Sequence, residues 1–332
     1  MNTQLRYIVT GGGGFVGRAL CFALRSQGHE VLSLSRSLYP ELIERGVTCT
    51  QVDLGSPTQD LSKLFAGAHA VFHTAAKVDM WGRYEDFFKA NVVATRNIIA
   101  ACRAAKVRKL IYTSSPSVIA GHGDLRGVDE SEPYPHAHSA HYPATKAIAE
   151  REVLAANDAE LFTVSLRPHL IFGPGDHNFV PTILQRARAN KLVRVGNGLN
   201  MSDLCFIDDC VQAHLNACDM LDKNPDCRGR AYFITQGEPV SLWKWIDDVL
   251  ARNGLGPVKR KIPAAVAKSA AVVCEAWARI TNSSEVPLLT CFLVHEMCSD
   301  HYFNIGAARR DLNFNPRYSV KAALDLTFPR GK

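Results

Sequence analysis

The 332-residue sequence predicts an α/β protein built on a doubly wound parallel sheet, with a smaller α/β part at its C-terminal end. Three observations carry that prediction. A short apolar stretch, Tyr7-Ile8-Val9, runs into Gly11-Gly12-Gly13-Gly14-Phe15-Val16-Gly17 and then into a helical pattern over residues 18–27. Apolar strands at 30–34, 51–54, 70–76 and 109–113 alternate with helical stretches such as 84–104, the spacing of β–α units. After Pro168 the alternation weakens and glycines and prolines cluster at 173–176, 196–198 and 254–257. Residues 1–170 are therefore expected to form a dinucleotide-binding Rossmann domain, and 171–332 the substrate-binding part.

The glycine segment takes its meaning from its context. Strand, glycine loop and helix in succession let the backbone turn tightly and approach a pyrophosphate, whose charge rests on the free N–H groups of the helix start. Two registers fit, Gly12-x-Gly14-x-x-Gly17 and Gly11-x-x-Gly14-x-x-Gly17, and the second leaves Thr10 leading the loop. The second strand ends at Ser35-Arg36, where such folds read the adenosine ribose. An acid there would bind a 2′-hydroxyl. Serine beside arginine instead welcomes a 2′-phosphate, which points to NADP(H). Asp53, next to Leu54, meets the adenine edge or caps the following turn. Ala75-Ala76 let backbone and cofactor come close, and His73 reads as a satisfied strand-end histidine.

Ser115 closes the strand at 109–113, and Tyr142 opens the next helix. Tyr142 and Lys146 stand four residues apart, hence on one helical face. A fixed cation favours phenolate, so the pair is expected to exchange a proton nearer neutral pH, which suits a carbonyl becoming an alcohol. Pro143 fits the first helical turn.

Taken together, Thr10-Gly11-x-x-Gly14-x-x-Gly17, Asp53, Asn91, Ser115, Tyr142 and Lys146 resemble the extended short-chain dehydrogenase/reductase family in order and approximate spacing. Thr113-Ser114-Ser115 with Val118, and Leu166-Arg167-Pro168 with Ile171-Phe172-Gly173-Pro174-Gly175-Asp176, look like its 3β-hydroxysteroid dehydrogenase-like branch. Phe206-Ile207-Asp208-Asp209 extends the likeness over nearly the whole chain. Ala75-Ala76-Lys77 with Trp81-Gly82, Thr145-Lys146-Ala147-Ile148-Ala149-Glu150 and Gly237-Glu238-Pro239 are most similar to bacterial 2-alkyl-3-oxoalkanoate reductases. The resemblance implies reduction of a long-chain β-keto acid to the β-hydroxy acid with NADPH, in olefin biosynthesis. It implies Tyr142 as proton donor, Ser115 on the carbonyl oxygen, Lys146 on the nicotinamide ribose and Asn91 ordering a water. It also implies cofactor contacts from Thr10, Gly11, Gly14, Phe15, Val16, Gly17, Ser35, Arg36, Asp53, Leu54, Ala75, Lys77, Tyr142, Lys146 and Pro168. Residues 204–235 should partly rejoin the nucleotide domain, and homodimers are usual in the family. Ala94 replaces a usual glycine and Ser35 a common acid. A steroid dehydrogenase shares every catalytic residue. A nucleotide-sugar epimerase or dehydratase shares the fold, and a non-catalytic NADP(H) sensor would typically lack the tyrosine or lysine.

Composition bounds the remainder. Hydrophobic residues at 47% and charged ones at 21% are ordinary for a globular chain. The net charge of +6 is spread without a long basic run or aromatic interleaving, which argues against a nucleic-acid partner. Lys259-Arg260-Lys261 reads as a solvated loop. Ten cysteines lie scattered with no Cys-x-x-Cys pair and no apolar leader, so reduced thiols in a cytoplasmic protein are expected. Asp208-Asp209 reads as a cap on the helix 210–221. His136-x-His138-x-x-His141 reads as a polar loop beside the substrate entrance rather than a metal site, and Cys298-x-x-His301 lacks a partner pair. Residues 262–280 and 288–294 are apolar runs for which core burial is expected, the first broken by Lys268, Glu275 and Arg279. The sharper alternative makes 262–280 a greasy wall or lid, or a surface for a membrane or a partner enzyme, as a long-chain substrate would favour.

Overall fold

The computed structural model describes residues 4–56, 60–121, 123–281, 283 and 285–329. Seven strands form the central sheet: β1 Arg6–Thr10, β2 Glu30–Ser35, β3 Thr48–Gln51, β4 Ala70–His73, β5 Lys109–Thr113, β6 Phe162–Pro168 and β7 Arg230–Ile234. Every pairing is parallel and the order is 3-2-1-4-5-6-7, the doubly wound arrangement. Both faces are covered, which is why β4 and β6 are buried along their whole length. Alternate residues feed opposite layers. Tyr7, Val9, Phe72 and Ile111 join one core, whereas Ile8, Val71, Leu110 and Tyr112 join the other.

Helix α1 (Phe15–Ser26) covers the first face, while α2 (Ala94–Ala104) and α3 (His141–Ala155) supply Ile98 and Val153 to the second. The stretch 84–104 is not one regular helix. A short α-turn, Tyr84–Phe87, passes through a π-helical segment, Phe88–Val93, before α2 begins, and such segments gather at functional sites. Helix α4 (Ile207–Lys223) returns to the first face beside α1, and β7 then adds to the sheet next to β6.

The smaller part is a four-stranded mixed sheet made from Val240–Ser241, Met201–Ser202, His301–Phe303 and Leu125–Val128. The last of these strands comes from the first half of the chain, so the boundary near residue 170 is crossed by strand pairing. Helix α5 (Leu242–Arg252) packs on the Val240–Ser241 strand, and helices α6 (Ala264–Ile280) and α7 (Cys291–Cys298) pack against each other.

Two expectations change. Asp208 and Asp209 do not cap α4: Phe206 holds the cap position and both acids lie in the first turn, where they complement the helix dipole. Asp209 is fully buried and accepts from Gln236 Nε2 (2.6 Å) and the Arg317 backbone N–H (2.9 Å), tying the C-terminal segment to the sheet. Core burial also fails for α6. Its inward face is Ala267, Ala271, Glu275 and Ala278, and its larger apolar side chains point out, with Trp277 at 68% and Ile280 at 79% exposure. Alanine lets the helix approach closely, which turns the valine and tryptophan face to the surface. In 288–294, Phe292 and Val294 are buried and Leu288 is exposed. Among the described residues no helix is long and apolar enough to cross a membrane. All ten cysteines are free thiols.

Candidate active site

The glycine loop joins β1 to α1 at the carboxyl edge of the sheet, where the strand order reverses between β1 and β4. Gly11 has φ +72°, and a Cβ there would sit 2.8 Å from the Ala75 backbone. At Gly17 a Cβ would meet Gly11 O at 2.3 Å. The positive φ sets Gly11 apart, while a Cβ at Gly12 would meet Ser33 Oγ at 2.2 Å, so both registers keep a tightly placed glycine. Gly14 caps α1 without a side-chain hydrogen bond, leaving the first amides, from Phe15 and Val16 onward, to face an anion. Thr10 is buried: its hydroxyl lies 2.7 Å from His73 Nδ1 and accepts from the Ala75 N–H (3.3 Å). It shapes the loop from beneath. His73 is fully enclosed, hydrogen-bonded to Thr10 and Thr95, and burial pushes it down to about 3, so it is neutral.

At the end of β2, the Ser35 hydroxyl donates to Ser37 O (2.9 Å) while Arg36 is exposed. Asp53 accepts from Lys89 Nζ (2.8 Å) and the Gly55 N–H (3.1 Å), and Lys89 holds its carboxyl below the usual range. The turn-capping reading of Asp53 thus has its hydrogen bond. Leu54 is buried beside it, and its carbonyl accepts from Asn97 (2.8 Å).

The reactive side chains meet above β5 and β6. Ser115 opens a short 3₁₀ turn, Pro116–Val118, and its Oγ accepts from the Ser117 N–H (3.2 Å). Tyr142 stands in the first turn of α3. Burial pushes the phenol up to about 12, the Ser115 hydroxyl pulls the other way, and the Glu296 charge raises it further. Lys146 lies one turn on and is buried; burial pushes it down to about 7, while Glu150 favours its charge. Its Nζ donates to Thr113 O (2.6 Å) and stands 4.1 Å from the Tyr112 ring centroid. The expected lowering of the tyrosine by the lysine is not met: desolvation dominates both groups, and the ammonium is turned to a strand-end carbonyl.

Asn91 is buried in the π-helical segment. Its Oδ1 accepts from the Lys77 N–H (2.7 Å), and its Nδ2 donates to Lys77 O (3.1 Å) and Thr145 Oγ1 (3.0 Å). It clamps the loop after β4, which carries Ala75, against α3. Lys77 itself pairs with Asp79, and Pro168 is buried at the end of β6 opposite Ile234.

Residues that sequence spacing did not single out stand behind this set. Glu150, one turn beyond Lys146, is fully buried and accepts from Arg167, Ser165 and Tyr134. The spacing Tyr142, Lys146, Glu150 held that signal. His169, Glu296 and His301 come together from three distant segments, with their ligand-type atoms within 4.8 Å of one another.

Residues 8–263 match the 3-beta hydroxysteroid dehydrogenase/isomerase family. The chain belongs to that family. Within it, the chain is 44% identical over 324 residues to the 2-alkyl-3-oxoalkanoate reductase of Stenotrophomonas maltophilia, covering 96% of this chain and 97% of that one. It is 32% identical to the human sterol-4-alpha-carboxylate 3-dehydrogenase, decarboxylating, covering 98% and 88%. A solved UDP-glucuronic acid 4-epimerase from Bacillus cereus, in complex with UDP-glucuronic acid and NAD, superposes with a TM-score of 0.74 at 21% identity, covering 98% of each chain. That likeness is one of fold. As a member of this dehydrogenase family, the protein is an oxidoreductase.

Proposed function

We propose that the protein reduces a long-chain 2-alkyl-3-oxoalkanoic acid to the 2-alkyl-3-hydroxyalkanoic acid with NADPH, reversibly, within long-chain olefin biosynthesis. The observation that carries the reaction type is Tyr142 in the first turn of α3 with Lys146 one turn behind, and Ser115 just past the end of β5 at the carboxyl edge of the sheet. A phenol held near 12 stays protonated at neutral pH, the state a proton donor to a forming alkoxide needs. Ser115 donates to the oxygen on which negative charge develops. Lys146, one turn behind, is lowered to about 7 by burial, where it exchanges a proton near neutral pH.

The glycine loop and the start of α1, which no side chain caps, fit the pyrophosphate of a dinucleotide. Exposed Arg36 fits a 2′-phosphate. When bound, NADPH supplies the hydride for the ketone carbon. The substrate class follows the 44% relative. The second reading, a sterol acid, follows the 32% relative. Both relatives' names describe a carboxylate on the carbon next to the one that is oxidised or reduced.

Following NADP⁺ reduction by the purified protein with a 2-alkyl-3-hydroxyalkanoic acid, a 3β-hydroxysteroid, and NAD⁺ as control cofactor tests the proposal. Turnover of the hydroxy acid with NADP⁺ is expected. Steroid-only turnover rejects the substrate class, and indifference to the cofactor's 2′-phosphate rejects the Arg36 reading.

A further inference from the structure

A buried cluster beside the reaction centre has no part in the mechanism above. His169 directly follows Pro168, and β5 and β6 pair with Thr113 opposite Leu166. The Ser114 N–H donates to Leu166 O (2.6 Å), and Ser115 and Pro168 each stand two residues past the Thr113–Leu166 pair at the carboxyl edge of the sheet. His169 therefore leaves β6 at the same carboxyl edge from which Ser115 leaves β5. The next residue, Leu170, has φ +42°, a left-handed conformation that a leucine adopts only under constraint and that gathers at ligand sites.

His169 Nδ1 donates to Asp203 O (2.8 Å), which aims Nε2 toward Glu296 Oε2 at 3.9 Å. From the opposite side, His301 Nδ1 lies 3.4 Å from the same oxygen. His301 is buried, and its Nε2 has no hydrogen-bond partner.

Two imidazoles around one carboxylate hold either a metal or an anion. A ligating imidazole ordinarily has its second nitrogen held by a carbonyl or carboxylate, and His301 Nε2 is not. An anion fits better. An imidazolium donates from both nitrogens, so with Nδ1 given to Glu296, His301 retains a buried donor that lacks an acceptor.

We propose that His169 and His301 bind the carboxylate of the substrate, with Glu296 as the internal counter-charge that orients them. The assignment rests on the reductase reading and deepens it. In a 3-oxo or 3-hydroxy acid the carboxyl carbon is two bonds from the reacting carbon, so its anchor must lie at the carboxyl edge of β5 and β6, the edge from which His169 extends.

The test compares NADP⁺ reduction with a long-chain 2-alkyl-3-hydroxyalkanoate and with the matched secondary alcohol lacking the carboxyl group. Wild type, His169→Gln and His301→Gln are measured. Loss of one charge-assisted hydrogen bond is expected to raise KM for the acid roughly 10- to 100-fold, with a smaller change in kcat and no change for the alcohol. An unchanged ratio of acid to alcohol kcat/KM, parallel losses included, overturns the anchor and leaves the reductase reading standing. Wild type that oxidises the alcohol and not the acid overturns both. A second measurement guards against misfolding: calorimetric binding of a 2-alkylalkanoate with no oxygen at C3, to enzyme saturated with NADP⁺. Weaker binding by variants that keep their NADP⁺ affinity supports the anchor, and equal binding overturns it. Stoichiometric zinc retained by wild type and lost in His301→Gln also overturns it, in favour of a metal.

Discussion

Glu150→Gln tests the support behind the catalytic helix. The wild-type carboxylate accepts from Tyr134 OH (2.7 Å), Ser165 Oγ (2.7 Å), Arg167 Nη2 (2.7 Å) and Arg167 Nε (3.1 Å), in a place where both Glu150 and Arg167 are buried. Glutamine keeps the shape and removes the charge, leaving the Arg167 guanidinium uncompensated in a dry site. Breaking a buried pair from one side costs about 3–5 kcal/mol. Urea unfolding of Glu150→Gln is expected to show a loss of that size. Glu150→Gln/Arg167→Gln, which removes both charges, is expected to lose less than the two single variants combined, with a coupling of about 2 kcal/mol or more. The same substitution removes the charge that favours protonated Lys146 one turn away, so the lysine moves further below about 7 and less of it is charged at neutral pH. A single-variant loss under about 1 kcal/mol, or strict additivity in the double variant, would refute the account of Glu150 as the buried counter-ion.

Tyr142→Phe keeps the ring and removes the proton, so NADPH titration is expected to be normal and kcat to fall by roughly 10²- to 10⁴-fold; near-normal turnover rejects the donor role. Lys146 is held near 7 from an ordinary 10.5, so the folded state disfavours its protonated form and stability rises with pH between those values. Lys146→Met should accordingly raise the melting temperature more at pH 6 than at pH 10, and equal effects at both values would contradict the burial argument. Arg36→Ala should weaken NADPH binding roughly tenfold and leave NADH binding alone, as fluorescence titration would show. Gly17→Ala places a Cβ 2.3 Å from Gly11 O, so the loop must shift; lost dinucleotide binding with a destabilisation of about 1–3 kcal/mol is expected, against which a wild-type Kd would count.

The parts that could be read from sequence are local. Gly11, Gly14 and Gly17 lie within one turn of chain, and Tyr142 and Lys146 share one helical face, so spacing alone carries their geometry. Most of the seven strands arise from apolar runs, but β3, Thr48–Gln51, is polar and has no fully buried residue, so it falls before the 51–54 stretch that the apolar pattern marks. The cluster of His169, Glu296 and His301 had no such rule to reveal it, because a strand end, α7 and the small sheet meet only in the fold. Helix α6 misleads for a different reason: alanine, valine and tryptophan all count as apolar in a pattern, yet close packing selected the alanines for the inside. The sign of the Tyr142 shift was also hidden, since a one-dimensional spacing shows the neighbouring cation and not the loss of water around both groups.

The π-helical segment Phe88–Val93 sets a phase as well as a shape. An α-helix advances about 100° per residue, and a π turn absorbs one extra residue, so α2 is rotated relative to the α-turn at Tyr84–Phe87. That offset lets Asn91 reach Lys77 and Thr145 while Thr95, four positions later, reaches His73. Removing one residue between 88 and 93 would restore a regular helix and turn α2 by a full residue step, swinging Thr95 off His73 or Ile98 off the core. The segment behaves as a clutch between two helical screws, and chain length there is fixed more tightly than side-chain identity.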